Sequence, residues 1–142
     1  MKNTSKHDCK TELRNADLKV TPARLGILGA LENTSKPLDI VSLIKYLNIS
    51  KIKADRVTVF RIINALVIKG LVKPIQFNDG KLRYEHMSKA DHHHFICGEC
   101  GDIEDILECN VEKIEKNIQK KKGVLVKYHS LEFFGLCSRC KK

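Results

Sequence analysis

Two short cysteine pairs, Cys97-Gly98-Glu99-Cys100 and Cys137-Ser138-Arg139-Cys140, constrain this chain more than any other feature. Each pair sets two thiols on one tight turn, the spacing from which both can reach a single ion. Four thiolates at tetrahedral corners are what zinc takes in a closed structural site. The stretch between the pairs must therefore fold back until its ends meet. A redox C-x-x-C occurs singly in a βαβ setting, so two pairs bracketing a β-rich stretch fit metal better. Cys109 stands outside both pairs and reads as a packed thiol.

Immediately before the first pair runs Asp91-His92-His93-His94-Phe95-Ile96. If this is a strand, successive side chains alternate faces, so His92 and His94 share one side and His93 takes the other. One tripeptide then feeds two metal sites. Glu85, Asp91, Glu104, Asp105, Glu108 and Glu112, with His86 and His129, are the candidates to complete them. Mixed nitrogen and oxygen ligands without cysteine suit Fe(II), Mn(II), Zn(II), Co(II) or Ni(II).

The first half of the chain has a different character. Thr21-Pro22 is a helix cap followed by proline at the first helical position, and Leu25, Ile27, Leu28 and Leu31 give that helix an apolar face. Asp39 caps a second helix carrying Ile40, Leu43, Ile44 and Leu47. Asp55 caps a third, in which Val59, Ile62, Ile63, Leu66 and Val67 repeat at helical spacing and Gly70 marks the stop. Arg56, Thr58, Arg61 and Asn64 lie off that stripe, as in a helix offered to a DNA groove. Asn78-Asp79-Gly80 then joins two strands with a strong hairpin signal. Lys73, Lys81 and Arg83 put positive charge on this wing, near phosphates. Residues 1–19 read as polar with one short helix, where His7 and Cys9 are exposed bystanders.

Charge divides the same way. Of 142 residues, 1–86 hold 16 Lys/Arg against 8 Asp/Glu, a net of +8, while 87–142 hold 10 against 9, a net of +1. The basic part has the electrostatic footprint of a polyanion binder. The expected fold class is α+β. A winged helix-turn-helix domain occupies 1–86, a hinge 87–91, and a small α/β dimerisation domain with the four-cysteine zinc site 92–142. In the last part, 92–97 and 103–107 read as strands, Asn110 caps a helix with Val111, Ile114 and Ile118 on one face, and Val124 to Phe134 reads as a long final strand. That is little core, so zinc would act as a staple and a second copy would bury more surface. No run approaches the roughly 20 apolar residues of a membrane span, and Met1 to Asp8 has no signal-peptide pattern. The expectation is a cytoplasmic protein whose six cysteines stay reduced.

Taken together, the motifs resemble the ferric uptake regulator family of bacterial repressors, from about Val20 to Cys140. They are Thr21-Pro22-Ala23-Arg24, Arg56-Val57-Thr58-Val59-Phe60-Arg61, Arg83-Tyr84-Glu85, His92 through Gly101, His129-Ser130-Leu131 and Gly135 through Cys140. The resemblance implies a homodimer binding double-stranded DNA more tightly when a regulatory divalent metal fixes the angle between its domains. It assigns structural zinc to Cys97, Cys100, Cys137 and Cys140. It assigns the regulatory site to Glu85, His92, His94 and Asp105, and a second site to His93, Glu112 and His129, with Asp91 where many members have histidine. Thr58, Phe60 and Arg61 match the DNA-facing segment.

The chain departs from the family at three places. The loop Ser35-Lys36-Pro37 lacks the histidine often supplied there as a regulatory ligand, which leaves His86 as a substitute candidate. Phe60 replaces the usual tyrosine. Asp105 stands where iron sensors usually carry glutamate and peroxide sensors aspartate, and Glu85 where zinc sensors tend to have cysteine. The resulting expectation is a metal-dependent repressor of metal homeostasis or peroxide response, with Fe(II) or Mn(II) favoured over Zn(II) as the second metal. The competing reading is a zinc-stapled adaptor that binds protein and not DNA. An enzyme is disfavoured, because four thiolates leave zinc no open position for water and no H-x-E element accompanies the C-x-x-C pairs.

Overall fold

In a computed structural model, residues 8–77, 79–88, 92–107, 110–126 and 129–142 are described. Contacts divide the chain into two compact units, 1–89 and 90–142. Of the expected hinge 87–91, residues 89–91 lie outside the described set, as do His7, Asn78, Glu108 and Cys109.

The first unit contains α1 (Cys9–Asn15), α2 (Pro22–Asn33), α3 (Ile40–Ile49), α4 (Arg56–Ile68), β1 (Val72–Gln76) and β2 (Leu82–His86). Each of the three longer helices starts where a side chain satisfies one of its unpaired N–H groups. Thr21 Oγ1 accepts from Arg24 N at 3.2 Å, Asp39 Oδ1 from Ser42 N at 2.8 Å, and Asp55 Oδ1 from Thr58 N at 2.7 Å. Pro22 occupies the first turn of α2, where its missing N–H costs nothing. Helix α4 gives way at Gly70, whose φ of +75° an L side chain rarely adopts.

The core of this unit is made by the inward stripes of the helices. Leu13, Ile27, Leu28, Leu31, Leu43, Leu47, Val59, Ile63 and Leu66 are all fully buried. A Cβ on Gly26 would come within 2.6 Å of Leu47 Cδ2, so α2 and α3 pack closely there. Strands β1 and β2 pair antiparallel, with Val72 opposite His86, Lys73 opposite Glu85 and Pro74 opposite Tyr84. Tyr84 turns its backbone N–H and C=O outward to Leu38, at 2.8 and 3.1 Å. Pro74 therefore faces a position where the ladder asks for no N–H.

The second unit contains β3 (His93–Cys97), β4 (Ile103–Ile106), α5 (Val111–Lys122) and β5 (Glu132–Gly135). The sheet order is β4-β3-β5, with β4 antiparallel and β5 parallel to β3. Parallel pairing needs a crossover, and α5 lies in it. The helix ends at Gly123, left-handed at φ +65°. Asn110 sits at the N-cap position but makes no side-chain cap bond.

One expectation needs correction here. Val124 to Phe134 does not form one long strand: β5 spans only Glu132–Gly135, and residues 127–128 lie outside the described set. Strand β3 offers ladder partners only from His94 to Cys97, and Val126 N donates to Gln119 Oε1 at 2.9 Å, so the start of the run is tied to α5 instead. The apolar face of α5 is not covered within this chain's described residues. It buries no residue, and Ile114 and Ile118 are 56% and 43% exposed. No helix among the described residues is long and apolar enough to cross a membrane.

The caps provide a pH-dependent test. Burial works against the charge on Asp39, yet hydrogen bonds from Ser42 hold its carboxyl below the ordinary value of 3.8. Asp39→Ala is expected to cost about 1 kcal/mol of stability near neutral pH, measured by denaturant unfolding of the full chain. Because the folded pKa is depressed, that contribution is complete above the ordinary value and disappears as pH falls through the folded pKa. The gap between variant and wild type should therefore shrink below about pH 4.

Candidate metal centre

The zinc turns are built from backbone before side chains. Gly98 N donates to Gly135 O at 2.8 Å, which joins the end of β3 to the end of β5. Gly101 N donates to Cys97 O at 3.0 Å, and Cys140 N to Cys137 O at 3.1 Å, closing both C-x-x-C turns. The four sulfurs of Cys97, Cys100, Cys137 and Cys140 then lie within 4.8 Å of one another. A tetrahedral ion with Zn–S bonds near 2.3 Å sets sulfurs about 3.8 Å apart. The Cys100 and Cys137 sulfurs are 3.8 Å apart, so the cluster already has the size of a zinc site.

The electrostatics agree with the geometry. Backbone N–H groups of Cys100 and Cys137 hold the Cys97 thiol down to about 6, and the Cys140 turn lowers Cys137. The hydrogen bond with Cys137, followed by burial, pushes Cys140 up to about 12. The turns thus favour thiolate at two corners, and an ion would draw the remaining protons off. Arg139 reaches Asp102 at 3.1 Å, linking the second turn to the chain that leaves the first.

The histidine strand places its rings on two faces. His94 stands opposite Asp105 in the β3–β4 register. His92 Nε2 and His94 Nε2 lie 3.8 and 3.7 Å from the same oxygen, Asp105 Oδ1, and the two rings meet edge to face at 4.8 Å. His93 points the other way, 5.0 Å from the His129 ring. Burial, then the neighbouring His129, lowers the His93 pKa, against a hydrogen bond with the Leu131 backbone. His129 Nδ1 is 2.5 Å from Glu115 Oε1. Glu115 was not among the sequence candidates. Among the described residues Glu112 does not join His93 and His129 in a cluster of metal-ligating atoms. Both carboxylates sit on α5 three residues apart, and spacing alone does not separate them. Asp91 lies outside the described residues.

In the first unit, Glu85 is fully buried on β2, and the Lys73 ammonium facing it across the hairpin is 3.8 Å from Oε2. His86 is also fully buried, but it serves this unit. Ser88 N–H donates to its Nδ1 at 3.0 Å, which leaves Nε2–H for the Glu12 carboxylate at 3.0 Å. Both ring nitrogens are engaged on α1 and the chain after β2, so the substitute-ligand candidacy of His86 is not supported. Cys9 is half-buried rather than an exposed bystander: its thiol donates to Glu32 at 3.2 Å, and burial followed by that carboxylate pushes it up to about 12.

The helix expected to face DNA is α4. Arg56, Thr58, Phe60, Arg61 and Asn64 are exposed on it, beside the buried Val59, Ile62 and Ile63. On the wing Lys81 is exposed, Lys73 is turned to Glu85, and Arg83 is held by Asp79 at 2.7 and 3.2 Å while lying over Phe77.

A winged helix followed by a zinc-sized thiol cluster and an imidazole–carboxylate cluster defines a metal-responsive DNA-binding protein. The profile of the Ferric uptake regulator family matches residues 15–134, and the chain belongs to that family. It is 32% identical over 131 residues to the ferric uptake regulation protein of Yersinia pestis, covering 92% of this chain and 88% of that one. Its structure is similar to the ferric uptake regulator of Vibrio cholerae, with a TM-score of 0.77 at 30% identity, covering 92% of this chain and all of that one. A manganese-containing ferric uptake regulator from Pseudomonas aeruginosa gives 0.78 at 25% identity, covering 93% and 99%.

If the thiols hold zinc as a staple, Cys137→Ser should bring the metal content of the purified chain down by one zinc and lower the melting temperature of 90–142 while 1–89 keeps its helical signal. Zinc uptake should release protons, so affinity should fall as pH is lowered through the thiol range. Metal analysis and calorimetry in two buffers measure both.

Proposed function

We propose that in this metal-dependent DNA-binding transcriptional regulator the second metal is Fe(II) or Mn(II), held by Glu85, His92, His94 and Asp105. The observation that carries this reading is the single Asp105 oxygen equidistant from two imidazoles, 3.8 and 3.7 Å away. Two nitrogens and carboxylate oxygens without sulfur suit these ions, whereas thiolates would favour zinc. The manganese in the similar Pseudomonas aeruginosa structure is in keeping with this chemistry.

The reading extends to the parts around the site. His93 and His129, with a carboxylate from α5, form a further site. Arg56, Thr58, Phe60, Arg61 and Asn64 enter the major groove, and Lys81 meets phosphate. The chain works as a homodimer in the cytoplasm. Support for a second copy comes from the exposed Ile114 and Ile118 on α5 and from Phe133, Phe134 and Leu136, each near half exposed. Ferrous or manganous ion binding the DNA-competent arrangement more tightly shifts the population toward it, and DNA tightens the metal by the same factor. The protein acts as a repressor, in line with a family of regulators and not of enzymes.

The test is duplex binding by the zinc-loaded chain with and without added Fe(II) or Mn(II). Wild type should gain affinity with either ion, and the double variant His92→Ala, His94→Ala should lose that gain while keeping its zinc. Metal dependence that survives in the variant would remove the site assignment. Arg61→Ala should weaken duplex binding about 10-fold at every metal concentration and leave Mn(II) affinity alone. If the wild type shows no salt-dependent affinity for duplex at all, the adaptor reading takes its place.

A further inference from the structure

We infer that Lys73 is the counter-cation of Glu85 in the metal-free protein and that metal binding hands its ammonium over to DNA phosphate. The inference rests on the reading of Glu85 as a ligand.

The geometry is local to the hairpin. Lys73 and Glu85 are direct partners in the β1–β2 register, so their side chains leave the sheet on the same face. The ammonium lies 3.8 Å from Glu85 Oε2, within ion-pair range and too far for a strong hydrogen bond. The two ends differ in burial: the Glu85 side chain is 0% exposed and that of Lys73 27%. A buried carboxylate needs positive charge nearby, and the lysine supplies it from the solvent edge.

A divalent ion on that carboxylate supplies the same compensation with twice the charge and a direct bond to oxygen. An ammonium within 4 Å of the ligating oxygen is then repelled by the ion. Its stem is flexible and its solvent-exposed side is open, so the head can swing outward. It does so from the wing of a winged helix, where phosphates pass. Metal loading thereby adds a cation to the DNA-facing surface of each chain.

The device also answers a gap in the sequence. The loop 35–37 brings no histidine from the DNA-binding unit, and Pro37 is buried there. Glu85 is then the one ligand that unit brings, and through Lys73 its response to metal includes displaced charge as well as that bond.

The experiment uses the full, zinc-loaded chain and its variants Lys73→Gln and Lys73→Arg. Mn(II) affinity is measured by calorimetry. Duplex affinity is measured over a salt series on a sequence selected by the Mn(II)-loaded wild type. Lys73→Gln should bind Mn(II) at least about 3-fold more tightly, because a competing cation is gone. With Mn(II) saturating, its duplex affinity should fall, and the salt slope should drop by about 0.9 for each lysine lost. Without Mn(II) its duplex affinity should match wild type, since the wild-type ammonium is then engaged by Glu85. Lys73→Arg keeps the charge and should restore the wild-type pattern. Weaker or unchanged Mn(II) binding in Lys73→Gln overturns the inference, and so does an equal loss of duplex affinity with and without metal. A wild-type chain that takes up no Mn(II) beyond its zinc removes the reading of Glu85, and this inference with it.

Discussion

Everything in the second unit depends on four sulfurs meeting. The first unit buries a continuous set of leucines, isoleucines and valines, and its helices hold together by apolar contact. Among its described residues the second unit has no such set. Helix α5 buries nothing, and the fully enclosed apolar side chains of its described residues are Cys97 and Cys137 themselves. Structural zinc in small domains contributes about 10–16 kcal/mol of apparent binding free energy, which is as large as the whole stability of an ordinary domain. A three-stranded sheet with one unburied helix has no other term of that size. Strand β5 lies parallel beside β3, and the two C-x-x-C turns close the same end of that pair.

The same fastening holds the histidine strand. Strand β3 carries Cys97 at its end, with His93 and His94 at its start. The sheet partner that faces His94 is Asp105, so the staple, the ladder and the imidazole–carboxylate cluster share one rigid segment. Sites built on strands hold ligand geometry better than sites built on loops. A closed zinc site at one end of β3 can therefore set how far apart the imidazoles and the Asp105 carboxylate stand.

Much of this was legible because the signals were local. Thr21, Asp39 and Asp55 each make the cap bond that their positions announce, and the cysteine spacing encodes the zinc turns. What escaped the sequence depended on partners far along the chain. Val124 and Leu125 look like strand residues, but a strand exists only where a neighbour offers a ladder, and β3 offers one from His94 to Cys97. Ile114 and Ile118 make a stripe, which shows that a face is apolar and not what covers it. Glu112 and Glu115 share a side of α5, and only the placement of His129 distinguishes them. His86 stands beside Glu85 in the sequence as a substitute candidate, but its ring meets Glu12, from the far end of the unit.

Charge counted along the sequence also overstates what the wing presents. The net of +8 over 1–86 includes Arg83, which Asp79 binds through two oxygens, and Lys73, which faces Glu85. Those two pairs differ in kind. Asp79 is nearly half exposed, and its carboxyl is held to about 2 by hydrogen bonds from Arg83 and the Lys81 backbone. It shapes the hairpin turn and stacks Arg83 on Phe77. Glu85 is wholly buried, so the charge opposite it is required by desolvation rather than by turn geometry. A surface pair such as Asp79–Arg83 can open at little cost whatever the metal does. A buried carboxylate must exchange one cation for another, so if Glu85 is a metal ligand, as proposed, the charge of the wing follows the occupancy of that ligand.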